Sequence, residues 1–368
     1  MIRKIILIIC VSILTVGCGN NSSTTNNNDL KVDSKYSYVY DTDCQCNVGE
    51  YPYMAYTKDG TYYFDINDDF KILRFTDKQS GKDVPVCSKV ECFHNDVECN
   101  AYFDEKEYPM SGLWYLEGCL YVPKVEEDYI KIEKIEADGS GRMVSCTVTR
   151  LFMEAVDMGN GVVESSTTYP EIQLHRGYAY VSTYYPGEPN ASLYRIKLND
   201  NSEPEEITSI EKQNGGMVML YRVKPYGSSV FFQMGEYKDN KNTVSIYEYD
   251  TITGEVSVFC EQVLRNYFVF ENVLYYMDSD DNILKMVLTS EESELFYAND
   301  NKVANAVLSD DKLFENAGNL VYRREIQEIN EDDNYITYWI DIVFGGDGKV
   351  IEEKASDGTD LIPIYIVE

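Results

Sequence analysis

Cysteine, histidine and carboxylate side chains are the groups here whose types and spacing could do chemistry. Cys87, Cys92, His94 and Cys99 lie in the stretch VCSKVECFHNDVECNAYF, spaced C-x4-C-x-H-x4-C, and Cys44 and Cys46 flank Gln45 upstream. Three chemistries suit such a set. Disulfides would staple a compact insertion with little core of its own, if the chain reaches an oxidising compartment. A Cys3His metal site is the second, since thiolate and imidazole are the ligands that tetrahedral zinc takes; the C-x-H pair is tighter than the usual ligand spacing. Reduced, buried thiols without a partner are the third. Bridge and zinc site alike would serve structure rather than catalysis. The chain has two histidines, and the second, His175, falls in an apparent strand, so a catalytic zinc centre has few candidate ligands. Cys119, Cys146 and Cys260 sit in apolar strand contexts, where cysteine acts as a small hydrophobe.

The carboxylates outnumber the cations. Asp plus Glu total 63 against 32 Lys plus Arg, a net charge of -31. That charge repels phosphate backbones and excludes nucleic acid as a partner. No GxSxG elbow, HExxH helix, phosphate loop or dinucleotide fingerprint is present, and the carboxylates are too numerous for a glycosidase pair to stand out. Acidic residues gather instead in short polar breaks: Asp65, Asp68 and Asp69; Glu126, Glu127 and Asp128; Asp278, Asp280 and Asp281; Glu328, Glu331, Asp332 and Asp333. Asp65–Asp69 and Asp278–Asn282 offer oxygen ligands to calcium, but neither has the DxDxDG spacing of a calcium loop.

The elements that must position these groups are strands. Asn266–Tyr297 holds four short apolar runs, YFVF, VLYYM, ILKMVL and ELFY, separated by polar breaks. They are rich in Tyr, Phe, Val, Ile and Leu, types that fit a half-buried pleated surface. One such meander cannot cover both its faces and needs neighbours of its own kind. The chain supplies them. Aromatic strands anchored at Tyr63, Tyr121, Tyr180, Phe231, Tyr275 and Tyr322 recur at spacings of 58, 59, 51, 44 and 47 residues, near the 40 to 50 typical of four-stranded propeller blades. Each is followed by a second strand (KILRF, YIKIEKI, SLYRIKL, VSIYEY, ILKMVL, ITYWIDIV) and, in several units, a Gly-bearing turn and a closing strand. No segment has a 3.6-residue period over three turns. The expectation is an all-β, six-bladed propeller over residues 36–368 with a Cys-rich insertion at 87–103. The termini, YSYVY at Tyr36 and IPIYIV at Ile362, are read as spare strands, one completing the other's blade; together they would make a seventh.

In a four-stranded blade the second-to-third-strand turns and the blade crossovers share one face. That face collects the acidic breaks, Tyr184, Tyr185 and Tyr237, and on this reading the cysteine insertion. It is the expected ligand face, suited to a cation, a basic peptide or a sugar that stacks on tyrosine. The opposite face holds Lys78, Lys82 and Arg142.

Met1–Gly17 has Arg3 and Lys4, an apolar run from Ile5 to Val16, and Gly17 before Cys18, the pattern of a signal peptide. Thr15–Cys18, TVGC, resembles a bacterial lipobox, which implies cleavage before Cys18 and lipid on its sulfur. Residues 18–35 are then a lipidated cysteine and a flexible polar tether, GNNSSTTNNNDLKVDS being its body. Together, the LYYMDSDDNILKM stretch at Leu274 and SLYRIKL at Ser192 resemble the TolB-like, YWTD-like propeller lipoproteins of anaerobic Firmicutes, although the YWTD tetrapeptide is absent. The cysteine segment, followed by Asn100-Ala101-Tyr102, resembles an element of the same lipoproteins. The resemblance implies a propeller fold with an anchored binding role. The leading expectation is a monomeric, non-catalytic propeller at the outer face of a bacterial membrane, binding a protein, peptide or glycan through its acidic, Tyr-bearing face. The alternative is a carbohydrate-active or other hydrolytic propeller using Asp or Glu in its central funnel.

Overall fold

The computed structural model describes residues 34–43, 53–67, 69–157, 163–183, 190–200, 202–211, 217–238, 241–261, 263, 265–290, 292–298, 308–316, 319–329, 335–345 and 348–356. Within them, six antiparallel four-stranded meanders follow one another as the blades of a propeller. Blade 1 is built from Met54–Tyr56, Gly60–Ile66, Phe70–Asp77 and Asp83–Pro85; blade 2 from Trp114–Leu116, Cys119–Glu126, Tyr129–Glu136 and Met143–Arg150. Blade 3 is Glu171–His175, Tyr178–Thr183, Asn190–Lys197 and Glu205–Glu211; blade 4 is Met217–Tyr226, Ser229–Lys238, Ser245–Asp250 and Val256–Cys260. Blade 5 is Tyr267–Phe270, Val273–Met277, Ile283–Val287 and Ser293–Tyr297, and blade 6 is Leu308–Asn316, Asn319–Ile329, Tyr335–Phe344 and Val350–Ser356. All six aromatic anchors fall on second strands, so the period reads the blades in register.

Burial explains why these segments pair as they do. The second strands of blades 2, 3 and 4 are covered on both faces: Val230, Phe231 and Phe232 are consecutive and all buried. Outer strands such as Glu205–Glu211 are largely exposed. Five apolar clusters fill the seams between consecutive blades from blade 1 to blade 6. In blades 2 to 5 the hairpins from first to second strand are two-residue turns. Glu117-Gly118, Arg176-Gly177 and Glu271-Asn272 have positive φ at both positions, the backbone that matches strand twist in a tight hairpin.

Two features of the strand order depart from the sequence reading. The first is a hairpin, Phe152–Asp157 paired with Val163–Thr168, between blades 2 and 3. The second concerns the N-terminus. Tyr36 does not begin a strand: Ser34–Tyr36 is a 3-10 turn, and residues 37–43 run on without sheet pairing. Each blade is closed by its own four consecutive strands, which leaves no place in a ladder for YSYVY; IPIYIV lies outside the described residues.

This N-terminal segment instead crosses the first-to-second-strand turns. Ser228 N–H donates to the Lys35 carbonyl, Arg176 N–H to Thr42, Glu117 N–H to Asp41, and Tyr40 Oη to the Tyr56 carbonyl. It thereby ties blades 4, 3, 2 and 1. Asp43, fully buried, accepts both Arg176 Nε at 2.5 Å and Arg176 Nη2 at 3.0 Å, and caps Val39 N–H. Lys35 bridges Glu248 and Asp250 of blade 4 at 2.9 and 3.0 Å.

Candidate metal centre and acidic face

The cysteine insertion interrupts the outer strand of blade 1. Asp83–Pro85 pairs with Arg74–Thr76 of the third strand, and Tyr102–Asp104 pairs with Phe70–Ile72 of the same strand. Leu73 is the joint: its carbonyl accepts Val86 N–H and its own N–H donates to Ala101. The chain between leaves the sheet opposite Leu73 and returns one residue further along. The insertion is therefore on the outer rim and does not join the second-to-third-strand turns, as the sequence reading placed it. It packs against the third-to-fourth-strand turn of blade 2, on the other face. Asn100 Nδ2 and Ser88 Oγ both donate to the Gly139 carbonyl, at 2.7 and 3.4 Å. Arg142 reaches back to the carbonyls of Tyr102 and Asn100 while its Nε pairs with Glu133 at 2.8 Å.

Within this insertion the side chains of Cys87, Cys92, His94 and Cys99 converge, their ligand atoms all within 4.8 Å of one another. His94 Nδ1 lies 3.2 Å from Cys99 Sγ. Bonds of about 2.3 Å to sulfur and 2.0 Å to nitrogen give a tetrahedron with edges of roughly 3.3 to 3.8 Å, so the donor set fits zinc with a small contraction of its longer separations. Glu91 and His94 adopt left-handed backbone, φ 58° and 57°, which turns the chain tightly enough to aim Cys92 and His94 inward. The thiols are not bridged to one another. Cys92 is lowered from the ordinary thiol range, first by the backbone N–H of His94 and then by the other two thiols. Cys99 is fully buried, and burial pushes it up to about 12 although Ala101 N–H donates to its sulfur at 3.4 Å. Both backbone contacts come from two residues downstream and favour thiolate. A divalent cation would supply the positive charge that Cys99 lacks. Four protein donors leave no open position, so such a centre would hold structure rather than activate water. Cys44, Cys46 and the lipidation candidate Cys18 lie outside the described residues. Cys119 and Cys146 are buried in blade 2 as free thiols.

Of the residues proposed for the ligand face, Asp68, Tyr184 and Tyr185 lie outside the described residues. Asp65 and Asp69 are exposed beside the second-to-third-strand turn of blade 1. In blade 5, Asp278 is committed to its own turn: Oδ1 accepts the N–H groups of Asp280 and Asn282 at 2.8 and 2.9 Å, and Oδ2 accepts Asn282 Nδ2. Asp280 is exposed, whereas Asp281 pairs with Arg265 at 2.7 Å. Only some of the carboxylates in these turns are therefore free for a ligand.

The sequence reading passed over Asp311, on the innermost strand of blade 6. It is buried, 3.4 Å from Arg324 and 3.7 Å from Arg265, and its pKa is raised by burial even with both guanidiniums opposing the shift. A carboxylate inside the strand LSDDKLF, among so many others, gave no separate signal.

No family model matches the chain, and no curated protein matches it. Solved structures do. One from a study of two prolyl endopeptidases has TM-score 0.48 at 9% identity, over 87% of this chain and 44% of that one. The chain thus spans less than half that enzyme's length. An oligogalacturonate lyase in complex with manganese has TM-score 0.45 at 9% identity, over 79% and 75%. TolB from Acinetobacter baumannii has TM-score 0.38 at 11% identity, over 78% and 60%. Likenesses this distant carry no argument about activity, and the propeller architecture stands on the chain's own strand pairing.

Proposed function

We propose that this chain is a lipid-anchored, non-catalytic propeller at the outer face of a bacterial membrane. It binds a protein, peptide or glycan through its second-to-third-strand turns, and its Cys3His cluster holds one zinc ion as a structural clasp. The observation that carries this reading is the course of residues 34–43. They lie on the first-to-second-strand turns, where Lys35 and Asp41 accept N–H groups from blades 4 and 2. The tether is joined at Ser34, and exposed Asp65, Asp69 and Asp280 lie in second-to-third-strand turns, at the opposite ends of their blades from the turns that this segment crosses. The lipobox at Thr15–Cys18 and the polar run after it support the anchor, and the missing catalytic motifs support binding without turnover. Calcium at the acidic turns has little support, because Asp278 already spends both oxygens on its own turn.

In cells, Cys18→Ala is expected to move the protein from the membrane fraction to the medium; retention in the membrane refutes the anchor. A glycan array and a hydrolysis screen on the purified domain are expected to give binding without turnover. The rival enzyme reading rests on Asp311, whose raised carboxyl is the group a hydrolytic funnel would use. Turnover that Asp311→Asn abolishes would establish that rival.

A further inference from the structure

The loop that carries the metal ligands also carries apolar side chains that nothing in the fold uses. Val90 is 91% exposed, Phe93 89% and Val97 73%; Val90 and Phe93 are the most exposed large apolar side chains among the described residues. Leaving a phenylalanine in water forgoes about 2 to 3 kcal/mol that burial would return. The core does not compete for these residues, because the loop stands outside the sheet, between the two halves of a broken outer strand. Their surroundings are net negative, three carboxylates to one lysine. Glu91, Asp96 and Glu98 are exposed beside them, and the loop's one lysine, Lys89, donates to the Glu98 carbonyl.

We propose that the loop Ser88–Glu98 is a docking knob, centred on Phe93, for a polypeptide surface that is apolar and edged with lysine or arginine. Aromatic anchors inside a polar rim carry most of the energy of such contacts, and a rim of carboxylates selects a cationic edge. The same carboxylates turn the loop away from anionic lipid and from nucleic acid. A second copy of the chain is a poor occupant, since each carries a net charge of -31. The loop is held ready. Left-handed backbone at Glu91 and His94, the Gly139 clamp and the four converging ligand side chains fix it before binding, which lowers the ordering cost of association. That last part rests on the zinc reading given above.

A random peptide library displayed on phage, panned against the purified protein, tests the knob, with metal content measured on every sample. Enriched peptides are expected to combine aromatic or aliphatic residues with Lys or Arg. They should bind Phe93→Ser, and separately the double variant Glu91→Gln with Glu98→Gln, at least 10-fold more weakly, and should weaken further as salt rises. Phe93→Ser keeps all four metal ligands and is expected to retain the ion, which shows that it folds. The proposal is overturned if no enriched peptide distinguishes Phe93→Ser from the parent protein. Acidic enriched peptides, or Phe93-dependent binding to phosphatidylcholine vesicles or to a second copy, also overturn it. Should the parent protein carry no metal, the zinc reading fails on its own, and the Phe93 comparison still decides the knob.

Discussion

His175 shows how a single buried side chain sets a pH dependence. It is fully buried at the end of the innermost strand of blade 3, with Nε2 2.7 Å from the Gly227 carbonyl, and burial lowers its pKa to about 4. The folded pKa lies below the unfolded value of 6.5, so as the pH falls the unfolded chain takes up the proton first. Stability from this group is therefore intact above about pH 6.5 and declines toward pH 4, by about 3 kcal/mol in all. Urea midpoints at pH 7.5 and 4.5 should differ more in the parent protein than in His175→Gln, which keeps a donor for Gly227 but cannot titrate. Equal differences in the two proteins would remove His175 as the cause. Gly139 makes a second residue-scale case. Its φ is +81°, and an added Cβ would fall 2.5 Å from the Val86 carbonyl oxygen and 2.6 Å from Cys87 N. Gly139→Ala is expected to cost about 1 to 3 kcal/mol and, by displacing Cys87, to weaken zinc binding in a competition titration with a chromophoric chelator. Unchanged zinc affinity would separate the clamp from the metal site.

At the scale of elements, the blades were legible because a second strand is buried on both faces and has to be filled with large apolar residues. Tyr180, Phe231 and Tyr322 could not be replaced by turn residues without emptying a seam. The cysteine insertion was legible from its C-x4-C-x-H-x4-C spacing, whereas the hairpin between blades 2 and 3 was legible only as a length. The longest anchor spacings, 58 and 59, bracket the cysteine loop and the hairpin Phe152–Asp157 with Val163–Thr168. What the spacing could not show is where each insertion leaves its blade. Return to the same outer strand depends on the one-residue joint at Leu73, a property of pairing rather than composition. The N-terminal segment misled for a related reason. YSYVY has strand-forming residue types, but β propensity is decided by available partners, and every ladder was already filled. Convergence of Cys87, Cys92, His94 and Cys99 was foreshadowed by their spacing, while Asp311 had no pattern to distinguish it. The element-scale prediction concerns the broken strand. If the metal holds both halves in place, Cys99→Ser should lose the ion and speed amide exchange at Tyr102–Asp104 and Ala137–Arg142. Exchange in blade 5, packed in other seams, should not change. Uniform protection in both regions would show that pairing to Phe70–Ile72 suffices without the clasp.

For the whole molecule, the question is what keeps the ring together when its ends do not share a sheet. In the described residues each blade is a local meander, and the five apolar clusters each join one blade to the next, from blade 1 through blade 6. Contacts that reach past the next blade come from the N-terminal segment, which hydrogen-bonds to four blades in succession. One of its attachments is the ion pair of fully buried Asp43 with Arg176. Removing one member of a buried, hydrogen-bonded ion pair costs about 3 to 5 kcal/mol, and Arg176, partly exposed, places this pair at the lower end of that range. Asp43→Ala is therefore expected to lower the melting temperature by about 5 to 10 °C. Arg176→Ala, which leaves the carboxylate of Asp43 buried and unpaired, should cost at least as much. The two changes act on one contact, so the double variant should lose little beyond the worse single variant. A strap that bound the blades independently of this pair would instead give additive losses. Protease sensitivity distinguishes the strap from a merely local contact: in Asp43→Ala, cleavage should begin between residues 34 and 43 at temperatures where every blade is still folded by far-ultraviolet circular dichroism. Cleavage that starts only when the sheets melt would mean that the segment is held by its other bonds and that the ring does not depend on this pair.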